Sequence, residues 1–565
     1  MFPHSIVSVL LFQSLLAFAA NVQLSISSSP PSSHVVEPNF LGISYELSFM
    51  NEYIGNDTSS IPPAVINYMK IIRSRTAASP LRFRVGGNSM DTSVYVPSQK
   101  SPMMTLTNAS ANANNQPVDY GPMLWQVLKQ VQKQVGGAEF LIGLSLLDPN
   151  GANMPVLAGA AKQGLGDALD AFLLGNEPDL YTPHQNRPNL KNYTVDNYID
   201  EFTTAMNHLT DTSAGNVLAL SDLAGPTICC NWDLASLLQQ GYLSHFSNVL
   251  KYITLQHYPQ NNCFGRYEYE LPYYMAHDNV VKLAGWQQNG INYLLSNSSW
   301  PKLIMSEFNS ASCGGIPGIS DTFAVGALWS SDYALQLAAS GYSAAYLHTR
   351  ERGISYNIFA PPAPEADAKT GAWTTNPAFY SLLFTADALN SNNGSIVVDL
   401  NVANSRTNPN ATTAAYAVFD ANNPSALLRA VMFNYANGTS EPFDIPAGNL
   451  TSAAAGKTLT VKFLTAASAA EKTNIAWGGK TFAGVGDGNM VAAPADATWA
   501  TQDQRIDCSN GCTVTVPGPG AAILMVADAV EARLSQNAAT ASIPRVGTIM
   551  VGLISALGLW AGLCL

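Results

Sequence analysis

Eight short apolar segments, each followed by a longer segment with helical spacing, run through the first two thirds of the chain. The strand candidates are 41–45, 81–85, 139–144, 171–174, 217–220, 252–256, 302–305 and 344–347. Helix candidates between them include 120–135, 195–209, 234–246, 275–295 and 323–339. Strands that alternate with helices join by right-handed crossovers into a parallel sheet, and eight such units can close on themselves. The pattern predicts an α/β fold, a (β/α)8 TIM barrel.

The pattern of apolar and polar residues changes after residue 393. Short alternating runs are broken there by Gly, Asn and Pro, with strand candidates at 395–400, 415–419, 427–434, 458–464 and 513–516. Frequent turn signals of this kind predict an antiparallel β-sandwich domain. No cluster of ionisable residues falls in it, so we expect a supporting role. Residues 22–26 also alternate like a strand and end before Pro30 and Pro31.

Both ends of the chain carry targeting patterns. Residues 6–20 form an apolar run that closes on Ala-Phe-Ala-Ala, which predicts a secretory signal peptide over 1–20. Residues 546–565 hold no charge and nothing basic follows them, whereas a small-residue site at 537–539 and a short spacer precede them. This arrangement favours a lipid-anchor signal over a retained spanning helix. We therefore expect a secreted, extracellular protein anchored at the cell surface, with no other membrane contact.

The composition fits an exported protein. Of the 565 residues 47% are apolar, enough for a large core, and the net charge of −12 excludes general nucleic-acid binding. Eight Asn-x-Ser/Thr sequons predict N-glycans. They are Asn56, Asn108, Asn192, Asn297, Asn393, Asn410, Asn437 and Asn449.

The cysteines also fit an oxidising compartment. Cys564 would leave with the tail, and the remaining six are an even number, which suggests disulfides. Cys508 and Cys512 can close a hairpin. The pairing of the other four, Cys229, Cys230, Cys263 and Cys313, stays open. Their spacing is not a zinc pattern, and we expect no metal and no cofactor.

Two glutamates stand at strand ends. Gly175 and Pro178 stop an apolar strand so that Asn176 and Glu177 are delivered at its carboxyl end, and a second apolar strand ends in Glu307. Barrel enzymes carry their chemistry at these ends, and two such carboxylates across one mouth suit double-displacement glycoside hydrolysis. Taken singly, either glutamate could instead belong to the start of a surface helix.

Other strand ends supply polar groups. Arg84, near the exit of the second strand, would keep a neighbouring carboxylate ionised, and the paired glycines after it let the backbone approach a ligand. Tyr258 follows the sixth strand and could hydrogen-bond the nucleophile or the substrate. His257 is expected to be a packed core histidine. Past the eighth strand, the stretch 348–356 offers cationic and phenolic donors, although its arginines could equally form a solvated surface pair.

Taken together, four motifs resemble glycoside hydrolase family 79, which contains β-glucuronidases and heparanases; the likeness is to its fungal members. The motifs are Gly-Ile-Ser-Tyr-Glu at 42–46, Arg-Val-Gly-Gly-Asn-Ser at 84–89, Gly-Asn-Glu-Pro at 175–178 and Met-Ser-Glu-Phe at 305–308. The resemblance covers about 22–526. It implies a β-domain that is completed by the N-terminal strand.

The resemblance also implies retention of configuration and a set of roles. Glu177 would be the acid/base and Glu307 the nucleophile. Among the substrate-binding residues, Asn176 would hold the sugar 2-hydroxyl, Tyr258 would orient Glu307, and Glu46 would contact a sugar hydroxyl. For the glucuronate carboxylate, our candidates are the backbone at Gly314 and the Tyr356 hydroxyl. The loop 312–313 lacks the aromatic residue that the family pattern leads us to expect there.

These expectations define five segments: a signal peptide (1–20), an N-terminal strand (21–38), the catalytic barrel (39–392), the β-sandwich (393–530) and a linker with the anchor signal (531–565). The expected function is a retaining β-glucuronidase that releases glucuronic acid, with or without a 4-O-methyl group, from glycans such as proteoglycan or arabinogalactan side chains. Two alternatives stay open. One is another retaining glycosidase of the same clan, of xylanase or arabinofuranosidase type. The other is an inactive carbohydrate-binding wall protein.

Overall fold

The structure, a computed structural model, describes residues 21–27, 29–187, 189–450 and 458–530. The predicted signal peptide and the predicted anchor signal lie outside the described residues. Among the described residues, no helix combines the length and the apolar character that a membrane crossing would require.

Eight parallel strands close into a barrel in the order in which they occur along the chain. They are Leu41–Glu46, Leu81–Gly86, Ala138–Leu144, Leu169–Leu174, Leu223–Ile228, Leu250–His257, Lys302–Phe308 and Ala344–Thr349. Most of their residues are buried on both sides, as expected when side chains fill the interior and helices cover the outside. The predicted barrel fold is confirmed.

Helices cover the outside of the barrel. The longer ones are Pro63–Arg73, Met123–Val135, Asn153–Leu165, Val195–Leu209, His277–Ala284, Gln288–Leu295, Ser330–Ala339 and Pro377–Ala388. The short helices are Met50–Ile54, Ser89–Thr92, Leu234–Leu237, Leu243–Phe246 and Leu271–Tyr274, and π-helical turns occupy Leu238–Tyr242 and Phe323–Trp329. The predicted helix 275–295 is divided in two at Gly285, which ends the first half.

The fifth strand is not at 217–220, and the prediction there was wrong. That segment forms a turn, with the Leu218 N–H bonded to Asn216 at 2.9 Å and the side chain of Leu220 76% exposed. The strand is Leu223–Ile228, whose Gly and Pro look like turn residues. Gly225 is needed because a Cβ there would lie 2.5 Å from the Tyr242 hydroxyl. Close packing of the helix layer therefore places a glycine inside a strand.

The C-terminal part of the chain and the N-terminal strand form two packed sheets, antiparallel except where Val22–Gln23 pairs parallel to Glu441–Pro446. The strands of the larger sheet are, in spatial order, Ser395–Asp399, Thr413–Asp420, Leu427–Asn434, Gly520–Met525, Thr458–Ala466, Ile475–Trp477, Lys480–Thr481 and Val491–Ala492, with Gln504–Asp507 beside Thr458–Ala466. The smaller sheet comprises Val22–Gln23, Glu441–Pro446 and Gly511–Val516. Val22 pairs in register with Phe443, so an N-terminal strand does extend this domain.

Alternation along the larger sheet explains how the domain is buried. In Thr413–Asp420, Ala415, Ala417 and Phe419 pack toward the smaller sheet, whereas Tyr416 and Val418 face the core that is shared with the barrel. A strand that is covered on both faces carries apolar side chains on both, and Thr413–Asp420 does so. The β-domain is thus attached to the barrel through the central strands of one face of its larger sheet.

Three disulfides are present among the described residues: Cys229–Cys230, Cys263–Cys313 and Cys508–Cys512. The last closes the predicted hairpin. The first joins adjacent residues after the fifth barrel strand. The second ties the segment after the sixth strand to the loop after the seventh.

Candidate active site

The two strand-end glutamates open into one cleft of about 720 Å³ at the carboxyl ends of the barrel strands. Glu307 is the penultimate residue of the buried strand Lys302–Phe308, and 7% of its surface is exposed. Glu177 follows Leu169–Leu174 and has φ +47°, a left-handed conformation that is strained for a residue with a side chain. Gly175, with φ +80°, makes the sharp exit possible.

Glu307 is held as a carboxylate. Arg84 Nη1 forms an ion pair with Glu307 Oε2, and the Tyr258 hydroxyl donates to Oε1 at 2.8 Å. His348 Nδ1 lies 3.9 Å from Oε2. Burial alone would raise the pKa of Glu307, but His348, Arg84 and the Tyr258 hydrogen bond outweigh it and lower the pKa.

The pKa of Glu177 is shifted in the direction opposite to that of Glu307. Its pKa is raised well above the usual range, first by burial and then by the negative charges of Glu307, Asp179 and Glu46, against a smaller effect of Arg84. One carboxyl group is therefore favoured as the acid and the other as the anion. Two neighbouring carboxyls whose pKa values are driven apart can divide acid and nucleophile roles between them.

Asn176 is fixed on both sides of its amide. Its Oδ1 accepts from Arg84 Nη2 at 2.7 Å, and its Nδ2 donates to Asn88 Oδ1 at 2.7 Å. Gln256 Nε2 lies 3.0 Å from the same Oδ1; with its amide turned over, it donates instead to Glu177 Oε1 at 3.1 Å. Arg84 thus links the two strand ends that carry the glutamates.

Glu46 is the last residue of the first strand and lies beside the ends of the second and eighth strands. Its Oε1 accepts from the Ser89 N–H at 2.8 Å and from the Ser89 hydroxyl, and His348 Nε2 is 3.5 Å from Oε2. Gly87 has φ +78°, and a Cβ there would lie 2.2 Å from the Glu46 carboxylate. Gly87 therefore approaches the Glu46 carboxylate, and Gly86 approaches the Arg84 guanidinium.

The two candidates for carboxylate recognition occupy different positions. Tyr356 is buried and lines the cleft, with its ring centroid 6.5 Å from that of Tyr258. Gly314 is buried behind the cleft wall, where a Cβ would lie 2.6 Å from Ile354. Its neighbours Ser312 and Cys313 line the cleft.

Arg350 is buried, with 4% of its surface exposed, so it is not a solvated surface residue. It lines the cleft and bonds Asn114 and Glu351. His257, expected in the core, is partly buried; it lines the cleft and stacks on Trp286 with the ring centroids 4.4 Å apart. Burial lowers its pKa to about 4.

Several functional positions carried no assigned role in the sequence analysis. His348 contacts both Glu46 and Glu307, Ser44 bonds His348 Nδ1 at 2.9 Å, and Asn88 supports Asn176. Each lies at or just after a strand end, so the rule that found the glutamates could have found them. Asp91, by contrast, follows its strand by a helical turn and accepts the Asn176 N–H at 3.3 Å. No local signal marks it.

The arrangement offers an acid and a nucleophile in one cleft, each with its own supporting groups. Among the described residues, no cluster of three or more His, Cys, Asp or Glu side chains could hold a metal ion. Chemistry with these groups needs a substrate whose leaving oxygen can be protonated while a carboxylate attacks the adjacent carbon. Glycoside hydrolysis has those requirements.

Comparison with known proteins agrees with this chemistry. The family model described as "Glycosyl hydrolase family 79 C-terminal beta domain" matches residues 415–523. A β-glucuronidase of Neurospora crassa is 23% identical and is aligned over 91% of this chain and 96% of its own length.

Solved structures share the fold. A 4-O-α-L-rhamnosyl-β-D-glucuronidase from Fusarium oxysporum superposes with a TM-score of 0.70 at 19% identity, over 89% of this chain and 100% of that one. A GH51 arabinofuranosidase from Xanthomonas axonopodis gives 0.58 at 12% identity, over 89% and 99%. The β-domain is thus similar to the C-terminal domain of glycoside hydrolase family 79, the whole-length relative is a β-glucuronidase, and the solved structures share the fold of this chain.

Proposed function

We propose that the protein is a retaining β-glucuronidase that releases glucuronic acid from glycans. The observation that carries the proposal is the opposite protonation tendency of two glutamates in one cleft, Glu177 raised and Glu307 lowered in pKa. The β-glucuronidase of Neurospora crassa and the rhamnosyl-glucuronidase of Fusarium oxysporum support the choice of sugar.

The reaction would proceed in two displacements. Glu307 attacks the anomeric carbon while the Glu177 proton moves to the leaving oxygen, which breaks the glycosidic bond and forms a glycosyl-enzyme ester. Glu177, now ionised, removes a proton from water, and the resulting hydroxide oxygen displaces Glu307. Arg84 and Tyr258 keep Glu307 ionised and oriented for the first step.

Glucuronate would be bound at the wall formed by the first, second and eighth strand ends. Arg350 and Tyr356 line the cleft there, and a buried arginine beside a tyrosine hydroxyl can meet the two oxygens of a carboxylate. Glu46 and Asn176 would contact hydroxyl groups of the same sugar. Because Gly314 is buried behind the wall, its backbone would act by shaping the loop 312–313.

A panel of 4-nitrophenyl glycosides tests this function. We expect turnover of the β-glucuronide, with its 4-O-methyl form as a further arm, and little of the β-glucoside, β-xyloside or α-arabinofuranoside. NMR of the first product formed should show the β anomer. Preference for the arabinofuranoside or xyloside would replace the glucuronidase assignment, and an α product would replace the retaining mechanism.

We also propose that the protein is an exported glycoprotein held at the cell surface by a C-terminal lipid anchor. The sequence patterns at 1–20 and 531–565 support this, as does the exposure of seven of the eight sequon asparagines, from Asn56 to Asn437. Phosphatidylinositol-specific phospholipase C should release the protein from cells, and mass spectrometry should find no peptide that contains Cys564. Recovery of that peptide from the mature protein would contradict the anchor.

A further inference from the structure

The cleft has two chemically different halves. Among the described residues that line it, the carboxylates and guanidinium are those of Glu46, Glu177, Glu307 and Arg350. None of these four belongs to the segments that follow the fifth and sixth barrel strands. The end of the sixth strand and the segments after the fifth and sixth strands contribute lining residues without a carboxylate or guanidinium: Cys229, Cys230, His257, Tyr258, Gln260, Asn261, Cys263, Phe264 and Trp286. Within this lining, we call the disulfide and the ring pair, Cys229, Cys230, His257 and Trp286, the apolar platform.

The disulfide of the platform is held by a buried carboxylate. Asp179 accepts the N–H groups of Cys229 at 3.2 Å, Cys230 at 2.8 Å and Asn231 at 2.7 Å. Asp179 lies in the same short turn as Glu177, two residues further on. Asp179 therefore fixes the position of the disulfide relative to Glu177.

The second part of the platform is the parallel stack of His257 on Trp286, with 8° between the ring planes. Burial lowers the pKa of His257 to about 4 and also lowers the pKa of His184, the other histidine on this side. Both imidazoles are thus neutral near pH 7. Cys230 is exposed to the cleft, so a polarisable disulfide and an aromatic pair present one uncharged surface.

We propose that the apolar platform binds the aglycone, and that its occupant is a neutral pyranose stacked through its C–H face. The inference rests on the proposed function. Glu177 must protonate the oxygen that joins glucuronate to the next group, so that group has to lie on the side of Glu177, where Asp179 holds the platform. The glucuronate then occupies the polar wall. An uncharged surface favours a neutral ring there over a second uronic acid, because a carboxylate would be desolvated without a partner.

The test compares three β-glucuronides: the methyl glycoside, which has no aglycone ring, the disaccharide with galactose, and the disaccharide with a second glucuronate. Trp286→Ala and the double variant Cys229→Ser/Cys230→Ser should lower kcat/KM for the galactose disaccharide about tenfold or more, the size of effect expected when one ring contact is lost. Hydrolysis of the methyl glucuronide should change less than about twofold, because it lacks the contact. Trp286→Phe keeps a ring in the stack and should retain most of the activity.

The double variant Cys508→Ser/Cys512→Ser removes a disulfide of the β-domain and is the matched control; it should alter none of the three ratios. The inference is overturned if the three substrates lose activity together, if the charged disaccharide loses most, or if an aryl glucuronide loses more than the galactose disaccharide. If Cys229→Ser/Cys230→Ser does not fold, the comparison of Trp286→Ala with Trp286→Phe on the same three substrates tests the inference.

A wild-type enzyme that is inactive on all glucuronides but active on another glycoside would remove the proposed function alone. The same alkyl and disaccharide comparison with that other sugar would then still test the platform.

Discussion

Glu177 and Glu307 differ in the residues around them more than in their own burial. Arg84, Tyr258 and His348 converge on Glu307, whereas the charges nearest Glu177 are mostly negative. Replacing Glu307 by Gln should reduce kcat at least about ten-thousandfold on every substrate, because no other group can form the ester. Replacing Glu177 by Gln should spare the first step for 4-nitrophenyl glucuronide and abolish turnover of alkyl glucuronides. Equal losses on both substrate types would contradict the assignment of roles.

The same pair predicts the pH profile of kcat/KM. Activity should rise with pH as Glu307 ionises, at a pKa below the usual glutamate range, and fall again as Glu177 loses its proton, at a pKa well above that range. In Glu177→Gln the alkaline limb should vanish on 4-nitrophenyl glucuronide while the acid limb remains. A profile with an unchanged alkaline limb would show that another group is the acid.

Tyr356 is expected to discriminate glucuronate from glucose. These sugars differ at C5, and without the carboxylate the donors at this wall would be left unpaired at a cost of about 1 to 3 kcal/mol each. Tyr356→Phe should therefore lower glucuronide kcat/KM roughly tenfold or more, and any residual glucoside turnover far less. If both activities fall by the same factor, the hydroxyl has a structural role only.

Residues at strand ends were accessible to sequence analysis, whereas residues that act through packing were not. Arg84, Asn176 and Tyr258 follow from where apolar runs stop, whereas Glu46 was expected only from the family resemblance. Each of the four lies at the cleft or bonds a group in it. Asp179 instead acts on three N–H groups that lie far along the chain. The pairing of the fourth and fifth barrel strands brings those partners together, and no motif in the sequence marks the contact.

At the scale of elements, the loop that follows Glu307 is joined to its neighbour by several bonds. Ser312 N–H donates to Gln260 O at 3.0 Å, Asn262 N–H donates to Ser312 O at 3.2 Å, and Cys263 bonds Cys313. This loop contains two consecutive glycines, Gly314 and Gly315. Its cross-links explain how left-handed residues at 313–315 are held in one conformation beside the nucleophile.

Two of the three disulfides, Cys263–Cys313 and Cys508–Cys512, should differ in their effect on stability. Cys263–Cys313 closes a separation of 50 residues and Cys508–Cys512 a separation of 4, which in the chain-entropy account correspond to about 4 and about 2 kcal/mol. We expect Cys263→Ser/Cys313→Ser to lower Tm clearly more than Cys508→Ser/Cys512→Ser, by differential scanning calorimetry. It should also reduce glucuronide turnover, which the second variant should not. Equal shifts in Tm would contradict the loop-length argument.

Element prediction succeeded where hydrophobic runs are continuous and failed where a strand is defined by its neighbours. Leu427–Asn434 was predicted with both of its ends correct. Gly520–Met525 was missed, although it lies between Leu427–Asn434 and Thr458–Ala466 in the larger sheet. Its sequence is Gly-Ala-Ala-Ile-Leu-Met, and small residues suffice because both faces are covered. The local sequence alone does not distinguish it from a helix.

At the scale of the whole molecule, the barrel and the β-domain share a buried ionic cluster. His277 contacts Asp332 at 2.9 Å within the barrel and Asp399 of the β-domain at 3.4 Å. The hydroxyls of Tyr416 and Tyr435, both in the β-domain, donate to Asp332. The two aspartates outweigh the effect of burial and raise the pKa of His277 to about 10.

This cluster predicts a pH dependence of stability. A histidine whose folded pKa is raised stabilises the folded state fully below its unfolded pKa of about 6.5, and loses that contribution as pH rises toward about 10. His277→Gln should lower the free energy of unfolding at pH 6 by on the order of 3 kcal/mol, because it leaves the buried Asp332 carboxylate without its cation, whereas Asp399 keeps its ion pair with Arg406. The difference from wild type should shrink by pH 10.

Lys472→Ala removes an exposed pair with Asp321 and is the control, with an expected change of about 0 to 1 kcal/mol. Chemical denaturation monitored at several pH values gives both numbers. A His277→Gln difference that grows with pH would have the wrong sign for this explanation.

The strand Val22–Gln23 has a consequence for the order in which the molecule is built. Gln23 bonds Asp444, 421 residues later in the chain. At about 5 to 20 residues per second, ribosomal synthesis separates the two by roughly 20 to 80 s. Throughout that interval the buried side chains of Leu24 and Ile26 have no β-domain core to enter, although the barrel beside them is being completed. The first strand to be made is thus among the last to be paired, and the nascent chain has to keep it from associating with other strands until then.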